Sequence, residues 1–218
     1  MAAIEVGQVV ATTSSGRRPG ESVMNVPCGR LDRDRALRRL AEVSSELIVY
    51  ATPRGPLVAA VDGYLEAALR EAGPNLAHGY PPHCTLTGFF HDEISSVPIY
   101  VAALVAALES VPVDDRSVLV VGLEIGPDWH GLTLDAPSLE AVIASFVPFA
   151  VSPSRTDALR PKTDLHVSLA YGFSADAGPG LAHLARTMVD PSLDVSWDIG
   201  LWERRNQAWT CHWRRPFR

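Results

Sequence analysis

The chain has 218 residues, 47% of them apolar and 20% charged, and carries a net charge of −6. That is enough sequence for one large domain or two small lobes sharing a core, with the composition of an ordinary globular protein. The acidic balance argues against a protein built to grip long nucleic acid, because such binding needs a basic surface to neutralise phosphates.

No run of 18 apolar residues occurs, so no membrane span is expected. The three cysteines, Cys28, Cys84 and Cys211, are widely spaced and form no CxxC pair. They suggest neither a disulfide framework nor a zinc site, and a reducing cytoplasm fits. Residues 1–22 lack a basic start followed by a long apolar stretch and do not read as a signal peptide.

Residues 1 to about 30, rich in Gly, Ser and Thr, read as a loose tail, and 30–45 as a charged helix leading into the body. Residues 1–44 are therefore set apart from a domain spanning 45–218. SELIVYAT (45–52) reads as a strand. PLVAAVDGYLEAALREAG (56–73) reads as an amphipathic helix entered through Pro56 and ended by Gly73, with Leu57, Val61, Leu65, Ala68 and Leu69 on one face. PPHCTLTGFF (81–90) reads as a strand. VPIYVAALVAALES (97–110) reads as a helix with Ser96 as its cap, and 117–125 as a strand.

The order then recurs. HGLTLD (130–135) is a short strand, APSLEAVIASFV (136–147) a helix, DLHVSLAYGF (164–173) a strand and GPGLAHLARTMV (178–189) a helix, with a strand pair over 192–217 at the end. Pro56 and Pro137 are 81 residues apart, as are Pro98 and Pro179, and His83 and His166 are 83 apart. This spacing predicts two similar lobes related by a pseudo-two-fold. A groove is expected between the halves at about 45–125 and 130–215. Strands are free to be exchanged between the lobes.

Strand geometry places residues i and i+2 on one face. His83 then projects with Thr85 and Thr87, and His166 with Ser168, while Cys84 points the other way as a core thiol. If the lobes are equivalent, the two strands face each other across the groove and line it with two imidazoles and two hydroxyls. This set suits a phosphate ester. One imidazole takes a proton from water while the other gives one to the leaving oxygen, and the hydroxyls donate to the non-bridging oxygens. No metal or other cofactor is needed. Near symmetry leaves open which histidine is the base.

HCTL and HVSL, about eighty residues apart, resemble the paired His-x-Thr/Ser-x motifs of the 2H phosphoesterase superfamily. The resemblance spans roughly residues 45–215; PPHCTLTGFF and the upstream YATPRGP are similar to the cyclic nucleotide phosphodiesterases within it. It implies a bilobal α+β fold, two lobes of antiparallel sheet with helices on the outside, and metal-independent hydrolysis of a 2′,3′-cyclic phosphate. His83 and His166 would be the acid and base, and Thr85 and Ser168 the phosphate donors. The expected partner is a small cyclic-phosphate nucleotide, an ADP-ribose cyclic phosphate or an RNA end. A monomer in the cytoplasm is expected.

Weaker candidates surround the motifs. Tyr50, Tyr171 and Phe89 could line the groove or stack on a base, with core packing as the bland reading. Phe90 shares that ambiguity, and Trp129 could act as a lid. Lys162 and Arg160 could meet a phosphate or be exposed loop charge. Arg204, Arg205, Arg214, Arg215 and Arg218 form either a solvated edge or a phosphate-attracting rim. The other histidines read as surface or local hydrogen-bonding residues. Two other functions compete: a non-catalytic binder of nucleotides or RNA ends, and a metal-dependent hydrolase adding a carboxylate such as Asp92 or Asp164.

Overall fold

In a computed structural model of the chain, residues 44–218 are described. The expected N-terminal tail, most of the charged helix and Cys28 lie outside them. The first described element, β1 (Ser44–Arg54), explains how one strand can be apolar almost throughout: it is buried on both faces. Leu47, Val49 and Ala51 enter the main core. Ile48 and Tyr50 point to the opposite side and line a cavity.

Seven strands join β1: β2 (Cys84–Thr85), β3 (Phe90–Glu93), β4 (Leu119–Ile125), β5 (Trp129–Asp135), β6 (His166–Tyr171), β7 (Ser196–Arg205) and β8 (Ala208–Pro216). All pairings between them are antiparallel, in the order β4-β5-β6-β2-β1-β7-β8, with β3 also on β1. Among the described residues, four α-helices follow the repeat: α1 (Pro56–Ala72), α2 (Val97–Ser110), α3 (Pro137–Phe149) and α4 (Gly178–Met188). Leu57, Leu104, Ile143 and Leu181, one from each helix, share a core with Val49, Cys84, Val167 and Ile199 of the sheet. The helices therefore cover one face, and the cavity opens on the other.

The order is symmetric about the seam between β6 and β2. Exchanging β1 with β5 and β2 with β6 carries β7 onto β4. The same exchange carries the helix pair α1–α4 onto α3–α2, and both pairs are packed together. Each half lends a strand to the other half's edge: β7 pairs with β1, and β4 pairs with β5. The expected α+β architecture thus holds, with one difference at its centre. The histidine strands do not oppose each other across a gap; they are hydrogen-bonded neighbours in one continuous sheet.

Local differences have local causes. PPHCTLTGFF is not one strand. The N–H groups of Leu86 and Thr87 both reach the Val49 carbonyl (3.0 and 3.4 Å), which is the pattern of a bulge and ends β2 after Thr85. Thr87 is fully buried, and its Oγ1 accepts the Val49 N–H, so it does not join His83 and Thr85. In α1 the buried stripe runs through Leu57, Val61, Tyr64, Ala67 and Ala68, leaving Leu69 exposed. Ser96 makes no capping bond; its hydroxyl pairs with Ser154 instead. Gly73 ends α1 at φ 76°, a conformation that glycine adopts freely. None of the helices among the described residues is long and apolar enough to cross a membrane.

Candidate active site

The register at the seam builds the site. Cys84 pairs with Val167, both facing the helices. One residue further along each antiparallel strand, His83 lies opposite Ser168 and Thr85 opposite His166. Directly opposed side chains stand roughly 5 Å apart at Cβ. The four groups therefore interleave: each imidazole neighbours its own motif's hydroxyl along the strand and the other motif's hydroxyl across it. All four line one cavity of about 500 Å³.

Both imidazoles are held in the same way. His83 Nδ1–H donates to the Pro81 carbonyl (2.7 Å), and His166 Nδ1–H to the Asp164 carbonyl (3.0 Å). A carbonyl only accepts, so Nδ1 carries the proton and Nε2 is left for the cavity. The environments differ, however. Tyr50 packs on the His83 ring at 3.9 Å, and Tyr80 flanks it at 5.6 Å. Burial pulls His83 down to about 4, with the carbonyl of Pro81 opposing and the neighbouring charge of His166 adding to the effect.

Of the surrounding candidates, Tyr50, Tyr171 and Phe89 all line the cavity. Tyr50 is only 1% exposed, so it serves chiefly as the wall behind His83. Burial raises its phenol far above the ordinary value and that of Tyr171 to about 12, keeping both neutral. Phe89 stacks on Trp209 at 6.2 Å, while Arg204 caps its ring at 4.2 Å. Phe90 is fully buried in the core instead. Trp129 lines the cavity and donates its indole N–H to Ser168 Oγ (3.0 Å).

Arg160 and Lys162 also face the cavity. Their segment is pinned to the first motif: Gly88 N–H donates to the Arg160 carbonyl (2.8 Å) and Lys162 N–H to the Leu86 carbonyl (2.9 Å). The C-terminal arginines do not themselves line the cavity. Arg204 forms a two-pronged pair with Glu46 (2.7 and 2.9 Å), and Arg214 meets the buried Asp198 at 3.3 Å. Tyr80, which lines the cavity, and Trp209 behind it carry no motif in the sequence. Both are brought in by chain reversals: Tyr80 follows a short turn capped by Asn75, and Trp209 sits just after the β7–β8 turn.

Cys84 is fully buried, and burial pushes its thiol up to about 12, which makes it inert. Asp92 is also buried, accepting from Tyr100 and from the Glu93 N–H (2.8 Å) away from the cavity. Among the described residues no three His, Cys, Asp or Glu side chains are grouped as metal ligands. Asp164 lines the cavity but engages His166 through its backbone. His78, His91 and His212 make local bonds to Leu65, Asp157 and Glu203. His130 is buried against Phe173.

No family model matches the chain. It is similar to the ubiquitin-associated and SH3 domain-containing protein B of mouse and of human, 30% identical over 162 residues in each case, which is 73% of this chain and 25% of theirs. It is also similar to the ecdysteroid-phosphate phosphatase of Bombyx mori, 26% identical over 167 residues, covering 75% of this chain and 25% of that one. The chain thus spans about a quarter of the length of these relatives. One of them is named for the hydrolysis of a phosphate ester.

Proposed function

We propose that the protein hydrolyses phosphoesters, and specifically a 2′,3′-cyclic phosphate on a nucleotide or RNA end, by the two-histidine chemistry of the 2H phosphoesterases. The observation that carries this reading is the seam itself: two imidazoles, each fixed through Nδ1, offer Nε2 to one cavity beside two hydroxyls. His83, kept neutral by burial, takes the proton of the attacking water. His166 gives its proton to the ribose oxygen as that oxygen leaves phosphorus. One P–O bond forms and one breaks, and a ribose phosphate monoester results. A positive charge on His166 discourages one on His83, which favours the singly protonated pair this division needs. Thr85 and Ser168 donate to the non-bridging oxygens, and Arg160 and Lys162 attract the anion. The cavity volume suits a nucleotide-sized ligand, and the distant phosphatase relative supports the reaction class.

The test is hydrolysis of 2′,3′-cyclic nucleotides, ADP-ribose 1″,2″-cyclic phosphate and cyclic-phosphate-ended RNA, in the presence of a strong chelator. His83→Ala and His166→Ala are each expected to lower kcat by roughly 10²–10⁴-fold. Full activity in both variants overturns the reading. Loss of activity on chelation points to the metal-dependent alternative, and binding without turnover to the non-catalytic one.

A further inference from the structure

Resting on that phosphoester reading, we propose that Trp129 is a positioning residue that aims the Ser168 hydroxyl at the substrate. The two motifs are not chemically equal. Thr85 is β-branched, and its χ1 is restricted by its own methyl group. Ser168 has no such branch and would swing between rotamers. Trp129 supplies the missing restraint from the neighbouring strand. Its indole N–H, which can only donate, occupies one lone pair of Ser168 Oγ at 3.0 Å. The serine proton must then point elsewhere, and the cavity is the open side. Such a bond is not automatic in this protein, since the indole N–H groups of Trp197 and Trp202 are buried without a partner.

Residue 131 makes the approach feasible. Gly131 lies opposite Ser168, next to a register shift between His130 and Gly131. A Cβ there would stand 2.2 Å from Cζ2 of Trp129 and 2.6 Å from the Val167 carbonyl, so the indole lies across space that only glycine leaves free. The same indole meets the His166 ring edge-on, at 5.1 Å and 81°. One side chain thereby braces both polar groups of the second motif.

The experiment compares wild type, Trp129→Phe, Ser168→Thr and the double variant on adenosine 2′,3′-cyclic phosphate. Trp129→Phe is expected to lower kcat/KM by roughly tenfold, as a misaimed phosphate donor should. In the double variant, the threonine methyl replaces the lost restraint and recovers most of that activity. An undiminished Trp129→Phe enzyme, or a double variant no better than the single one, overturns the proposal. A purely structural role would give no such rescue. If wild type turns over no cyclic phosphate, the functional reading fails separately. The same four proteins are then ranked by affinity for adenosine 2′-monophosphate, where the same order is expected and equal affinities overturn the inference. In wild type the Trp129 indole N–H resonance should move on adding that ligand, and a stationary resonance also counts against it.

Discussion

Single side chains show how two matching motifs become unequal. His83 sits under Tyr50 and stays neutral down to about pH 4, below the ordinary value of 6.5. The sign of the consequence follows from proton counting. As pH falls through 6.5 the unfolded chain protonates this histidine while the folded chain does not, so stability present above pH 6.5 is lost progressively down to about 4. His83→Gln should lose less stability across that window than wild type, as read from urea midpoints at its two ends. An unchanged pH slope would contradict the burial argument. The pairing of His83 with Thr85, of His166 with Ser168, and the dismissal of Cys84 were all legible from residue parity along a strand. Trp129's bond to Ser168 was not, because it depends on which residue lies across the ladder.

Elements were legible where a local signal starts or stops them. Prolines at the first turns of α1, α2, α3 and α4 marked each of these helices. The turn between β7 and β8 holds Asn206 and Gln207 at φ 50° and 66°, the left-handed pair of a type I′ hairpin. Asn suits this conformation and Gln does not. Gln207→Gly should therefore stabilise the fold by about 0.5–1 kcal/mol, read as a higher urea midpoint. Catalytic rate should be unchanged, since residue 207 lies outside the cavity lining. The broken strand at 81–90 was not legible. Its bulge arises from two N–H groups competing for the Val49 carbonyl, a partner more than thirty residues away in sequence.

Over the whole molecule the net charge of −6 opposes an anionic substrate, and Arg160 and Lys162 reverse that locally. Raising ionic strength from about 0.05 to about 0.3 M should lower kcat/KM for a cyclic phosphate severalfold. Arg160→Gln with Lys162→Gln should both lower the low-salt value and flatten the dependence; an unchanged salt profile would remove these cations from substrate capture. By itself the sequence determined the repeated order of strands and helices, the two motifs and the face their histidines share, because these follow from periods of 2 and 3.6 residues along a local chain. Only the tertiary structure decided that the two histidine strands are neighbours at one seam, that each half lends a strand to the other, and that Trp129, Tyr80, Arg160 and Lys162 reach the cavity. Those facts depend on which strands pair and in what register, and pairing is settled by burying one core beneath four helices, not by any stretch of sequence alone.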